Sequence, residues 1–209
     1  MQNKAEITFA EIKSLDDTLY DYWLDLYQQS FPLNEQMPVS SLNKILRNKA
    51  TGEANNSHLL ACLDSEKRFT ALVYYEQMPD CAVAALWYLA VNPKERSQGM
   101  GSKIYEMLQT RVRAEQPAVR ALFFEVQDPE ICNLPEEQED AHRRIAFYKR
   151  NGALQLYGID YTQSVGWQPP LSMRIMVHCF ENLTAAEVFA LAAQVFGNTL
   201  QQNGTLELR

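Results

Sequence analysis

The chain has 209 residues, 46% hydrophobic and 22% charged, with 19 Lys and Arg against 26 Asp and Glu for a formal charge of −7. This excludes a disordered chain, a collagen and a disulfide scaffold, and it argues against a broad nucleic-acid footprint, which needs net positive surface. The longest apolar run, Cys81 to Val91, is far short of the roughly 20 residues of a membrane-spanning helix. The N-terminal MQNKAEITFAEIK has no signal-peptide core, so a cytoplasmic protein without a membrane partner is expected.

Periodicity sets the elements in chain order. Glu6 to Ile12 reads as a short strand. Ser14 with Asp17 resembles a capping box, followed by Leu19, Tyr22, Trp23, Leu26 and Tyr27 on one face of an amphipathic helix. Phe31 to Pro38, bracketed by prolines, is a loop, and a second helix is expected over Ser40 to Lys49. His58–Leu63, Phe69–Gln77 and Ala82–Val91 read as a three-stranded antiparallel meander, with Pro79-Asp80 as a turn. The last of these is apolar on both faces, as a central strand should be.

After Val91, Asn92-Pro93 stops the strand. A polar loop leads to Gly99-Met100-Gly101, and Ile104, Met107, Leu108 and Val112 mark a helix ending before Pro117. Ala121 to Gln127 is the next strand, which completes a βαβ unit with parallel flanking strands. Glu136 to Asp140 is expected as an acidic surface loop, followed by a short helix over Ala141–Arg150 with Asn151-Gly152 as its C-terminal cap. Strands near Leu154–Tyr161 and Met173–Cys179 follow. Thr184 caps a last helix with Val188, Leu191, Ala192, Val195 and Phe196 inward. No linker interrupts the chain, so one α/β domain over residues 1–209 is expected.

The chemistry concentrates in the turn after Val91. Glycines there let the backbone approach a ligand, and the first amides of the next helix, with its dipole, form an anion site to which Arg96 can add a charged bond. A tight turn with no ligand fits the same residues. A P-loop does not fit, since Gly101-Ser102-Lys103 has the wrong order, and a dinucleotide fingerprint lacks its third small residue at Ile104. Cys62, Cys81, Cys132 and Cys179 are far apart, and His58, His142 and His178 have no metal spacing, so no metal is expected.

Val91-Asn92-Pro93 through Arg96-Ser97-Gln98-Gly99-Met100-Gly101 resembles motif A of the GNAT superfamily of N-acetyltransferases. About 50 residues on, Arg144-Ile145-Ala146-Phe147-Tyr148-Lys149-Arg150-Asn151-Gly152-Ala153 resembles its motif B. The resemblance covers about residues 82 to 162. It implies a mixed, mostly antiparallel central sheet with helices on both faces, whose parallel fourth and fifth strands splay apart. It also implies acetyl-CoA as acyl donor. The pyrophosphate would lie on the amides of Arg96, Ser97, Gln98, Gly99, Met100, Gly101 and Ser102, and the pantetheine arm along Leu89, Ala90 and Val91. The acetyl group would pass directly to an acceptor, usually a primary amine, either a small molecule or a protein amine.

Such a transfer must take a proton from the attacking ammonium and return one to the leaving thiolate. The resemblance places Tyr148 at the position of the general acid, although a core tyrosine fits the same pattern. Where some family members carry a glutamate on the fourth strand, this chain has Ala85. Glu125, set among Leu122, Phe123, Phe124 and Val126, is the first candidate base, with a structural hydrogen-bond acceptor as the alternative. Glu35, in the proline-bracketed loop that borders the acceptor site in the family, is the second; binding a cationic acceptor and a solvated loop carboxylate are its alternatives, and a water chain could serve without a dedicated base. Where many members have an asparagine seven residues before the tyrosine, this chain has Ala141. A CoA-binding module without catalysis and an interaction protein are the other readings, and a homodimer is compatible with the chain.

Overall fold

The computed structural model describes residues 7–53, 55–96, 99–166 and 168–209. Close contacts divide the chain into two compact units, Met1–Glu76 with Leu86–Met107, and Gln77–Ala85 with Leu108–Arg209.

In the first unit, β1 (Thr8–Ile12) pairs antiparallel with β2 (Ser57–Leu63), and β2 with β3 (Phe69–Met78). Two helices, α1 (Thr18–Ser30) and α2 (Val39–Ala50), pack on this sheet. Period-two alternation in the strands meets period-3.6 spacing in the helices. Leu59, Ala61, Leu72, Tyr74, Tyr88 and Ala90 thereby face Trp23, Tyr27, Leu42 and Leu46 in one core. Asp17, not Ser14, is the N-cap of α1: its carboxylate accepts the Leu19 N–H at 3.0 Å. The expected box was therefore one turn early, because the side chain next to the helix start reaches the open amides first.

In the second unit, β5 (Ala121–Gln127) pairs in parallel with the start of β4 (Val83–Val91) through Val83↔Ala121, Ala84↔Leu122 and Ala85↔Phe123. β7 (Leu171–Cys179) then lies antiparallel to β5, β6 (Leu154–Gln163) pairs with β7, and β8 (Leu200–Leu208) with β6. The eight strands form one sheet in the order β1-β2-β3-β4-β5-β7-β6-β8, mostly antiparallel. β5 is buried on both faces, apart from half-buried Glu125 and Gln127. The capping box of α5 (Ala185–Phe196) is formed by Thr184 and Glu187, and Phe196 packs against Phe123 and Tyr161.

Helix α3 (Met100–Glu115) starts at the glycine turn, earlier than its apolar stripe suggested. The expected acidic loop 136–140 is instead the start of α4 (Pro135–Arg150). Pro135 sits at the first helical position, where its missing N–H costs nothing, and Glu136 and Glu137 face the positive end of the dipole. The Gly152 cap appears as expected, with φ +85° and its N–H on the Lys149 carbonyl. β8 was not foreseen. No helix among the described residues is long and apolar enough to cross a membrane.

Candidate active site

β4 ends in alternating burial: Tyr88 and Ala90 are buried, Leu89 and Val91 half-buried. Asn92 anchors the strand end by donating its N–H to the Thr70 carbonyl at 2.8 Å. Its side chain accepts the Lys94 N–H at 3.1 Å, which caps a single 3-10 turn over Pro93–Glu95. Arg96 follows, exposed. Its backbone N–H goes to the Pro93 carbonyl, and its Nε donates to the Val91 carbonyl at 3.2 Å. Ser97 and Gln98 lie outside the described residues.

Gly99 has φ +73°, a conformation that L side chains resist, and a Cβ built there would meet no atom of the described residues within 4 Å. The turn is thus open on that side and needs glycine for its backbone rather than for crowding. Gly101 is already helical, so only one of the two glycines is demanded by the turn. The Lys103 N–H donates to the Gly99 carbonyl. Helical geometry leaves the amides of Met100, Gly101 and Ser102 without acceptors within α3, at the positive end of its dipole. The stretch 94–103 carries Lys94, Arg96 and Lys103 against Glu95, a local excess of cations in an acidic chain. Open amides, a turn that requires glycine for its backbone and a cationic flank suit a phosphate-bearing ligand such as the CoA diphosphate.

Tyr148, on the last turns of α4, is half-buried. Its ring lies 4.2 Å from Phe124 and 5.0 Å from Phe147. Loss of water pushes its phenol up to about 12, against the opposing pull of the Arg144 guanidinium. It therefore holds its proton throughout the ordinary pH range. Arg144, one helical turn earlier, was not singled out for this role; the i, i+4 spacing on α4 is the signal that finds it.

Glu125 is half-buried on β5. Its Oε1 accepts from Gln163 Nε2 at 2.5 Å. Burial, followed by the Glu125 charge, drives the Tyr161 phenol upward. Gln163 comes from β6, which lies two strands from β5. The carboxylate accepts from a neutral amide, a setting that serves a structural role and a proton-accepting role alike.

Glu35 is 5% exposed, so it is no solvated loop carboxylate. Its loop is clamped from β4: the Tyr88 hydroxyl accepts the Met37 N–H at 2.8 Å and donates to the Glu35 carbonyl at 2.8 Å. The Tyr27 hydroxyl donates to the Met37 carbonyl at 3.0 Å. Tyr88 was not anticipated as a site residue; in the sequence it reads only as an apolar position of a central strand. The structure thus ties the Glu35 loop to β4, and Glu125 to Gln163 of β6.

The acetyltransferase (GNAT) family model matches residues 20–153. Comparison with curated protein sequences finds no match. Among solved structures, a GNAT-family acetyltransferase from Bacteroides thetaiotaomicron superposes with TM-score 0.68 at 24% identity, covering 91% of this chain and 98% of that one. A dodecameric spermidine N-acetyltransferase from Vibrio cholerae gives 0.59 at 12% identity, over 83% and 93% of the two chains. The ribosomal-protein-S18-alanine N-acetyltransferase from Escherichia coli gives 0.53 at 17%, over 85% and 96%. At these identities the structural likeness is one of fold. The family match is a likeness of sequence, runs from α1 through the glycine turn to the cap of α4, and takes in well over half the residues, so the chain belongs to the GNAT acetyltransferase family.

Proposed function

We propose that this protein transfers an acetyl group from acetyl-CoA to a primary amine by direct attack, in the cytoplasm. The observation that supports it most is the strand–turn–helix of β4 and α3, with a glycine at φ +73° ahead of three amides that have no acceptor within their helix. Acetyl-CoA supplies the acetyl group as its thioester. Gly99, Met100, Gly101 and Ser102 bind the diphosphate through their amides, together with Ser97 and Gln98. Arg96 adds a charge-assisted bond, and Leu89, Ala90 and Val91 align the pantetheine arm.

Two protons move. The acceptor nitrogen bonds to the acetyl carbon, the carbon–sulfur bond breaks, the nitrogen gives up a proton, and the sulfur receives one. Tyr148 is assigned to the sulfur. A phenol at about 12 is a weaker acid than a thiol at about 8.5, so Tyr148 stabilises the departing sulfur mainly as a hydrogen-bond donor and keeps its own proton, and the thiolate takes its proton from water. Glu125 is assigned to the nitrogen's proton, with Glu35 as the second carboxylate for that task.

The test is calorimetric titration with acetyl-CoA followed by an acetyl-transfer assay on a panel of primary amines. Binding of acetyl-CoA with release of free thiol, dependent on an added amine, is the expected result. Acetyl-CoA binding without transfer to any amine favours the non-catalytic CoA-binding module instead.

A further inference from the structure

Glu76 ends the apolar part of β3 and is half-buried. Its Oε1 accepts from Ser57 Oγ at 2.5 Å and from the Tyr74 hydroxyl at 2.7 Å. Its Oε2 accepts from Trp87 Nε1 at 2.9 Å. Ser57, Tyr74 and Trp87 come from β2, β3 and β4, so three strands aim neutral donors at one carboxylate. No Lys, Arg or His among the described residues pairs with it. Elsewhere in the same unit the half-buried carboxylate of Glu11 has Lys49 at 2.5 Å and His58 at 2.8 Å. Among the described residues, Glu76 is therefore a carboxylate held by three neutral donors and no cation.

A carboxylate oxygen accepts two hydrogen bonds. Oε1 is filled, whereas Oε2 has one donor and keeps a lone pair. A buried or half-buried charge is costly unless it is paired. The three donors fix the geometry but supply no positive charge, so the missing partner is a cation with N–H donors. Trp87, which donates to Oε2, lies on β4 two residues before Leu89, the first of the proposed pantetheine contacts.

We infer that Glu76 binds an ammonium group of the acceptor, and that the acceptor carries at least two amines. An anion next to an ammonium holds it protonated, and a protonated nitrogen cannot attack a carbonyl. The group at Glu76 is thus the one that is not acetylated; it anchors the molecule while a second amine reacts. The acceptor class is a short diamine or a longer polyamine, not an isolated monoamine. That a second amine reacts rests on the acetyl-transfer reading above; the capture of a diammonium ligand at Glu76 does not.

The test is calorimetric titration of the whole protein, with and without saturating CoA, using 1,4-diaminobutane and 1-aminobutane. The expected result is diamine affinity at least about tenfold above the monoamine. Glu76→Gln brings the diamine down to the monoamine's level and leaves the monoamine unchanged. Equal affinities in the native protein, or a diamine preference that survives Glu76→Gln, overturn the assignment. If the glutamine variant does not fold, Glu76→Asp keeps the charge but draws it back, and unchanged diamine affinity there is equally adverse. Diamine preference lost in Glu76→Gln but with no acetyl transfer to any amine leaves this site standing and removes the proposed activity.

Discussion

Arg96 Nε donates to the carbonyl oxygen of Val91 at 3.2 Å, so the guanidinium folds back onto the last residue of β4 directly ahead of the glycine turn. Two parts of the proposed donor site, the strand end and the anion-binding turn, are linked by this one side chain. The bond is exposed, and an exposed bond of this kind is weak; the guanidinium is free to exchange it for a phosphate oxygen. Arg96→Ala should raise the Kd for acetyl-CoA roughly five- to tenfold, about 1 kcal/mol, with little change in thermal stability. Calorimetric titration checks it, and unchanged affinity removes Arg96 from the site.

Tyr148→Phe should lower kcat about a hundredfold, at the lower end of what a positioned proton donor contributes. The Kd for acetyl-CoA should stay the same, because the ring keeps its packing on Phe124 at 4.2 Å. The phenol is pushed up to about 12, and its protonated form is the active one, so it should produce no fall in kcat between pH 7 and about 10. A fall in that window that vanishes in Tyr148→Phe would contradict the assignment.

The same shift acts on stability. Unfolded tyrosine ionises near about 10, while burial raises the folded-state values of Tyr27, Tyr74, Tyr148 and Tyr161. Above pH 10 the folded state binds more protons than the unfolded one. Stability is thus fully present below about 10 and falls as pH rises, by about 1.4 kcal/mol per unit for each such tyrosine. Urea midpoints measured from pH 8 to 11 should be flat at first and then drop steeply; a flat series throughout contradicts the buried phenols.

Tyr88→Phe removes one hydroxyl that serves two backbone groups, the Met37 N–H and the Glu35 carbonyl. Leaving buried polar groups without partners should cost about 2 kcal/mol, a fall in Tm of about 4–8 °C for a chain of this size. If Glu35 serves the acceptor, the acceptor KM should rise more than the acetyl-CoA KM. Thermal unfolding and two-substrate kinetics measure both.

Gly158→Ala tests the attachment of β8. Gly158 has φ +78°, and an added Cβ would lie 2.2 Å from the Thr205 carbonyl oxygen, backbone that cannot turn aside. The variant should lose about 3 kcal/mol or more, and amide hydrogen exchange should rise first over Leu200–Leu208. Native-like protection in that strand would contradict the close β6–β8 contact.

Local chemistry determined much of this protein directly from its residues. The β4–turn–α3 segment was legible because Asn92-Pro93, Gly99 and the stripe from Ile104 to Val112 act within a few positions of one another. The Thr184 and Gly152 caps were legible for the same reason. The tertiary structure alone decided what lies far apart in the chain. β7 enters between β5 and β6. Polar β8, exposed at six of its nine residues, is a strand only because β6 offers it a partner. Glu125 meets Gln163 from 38 residues away, and Tyr88 meets Met37 across 51. A carboxylate's role depends on its partners and on its distance from water, and those are set when distant segments share a core, not by the residues beside it in the chain.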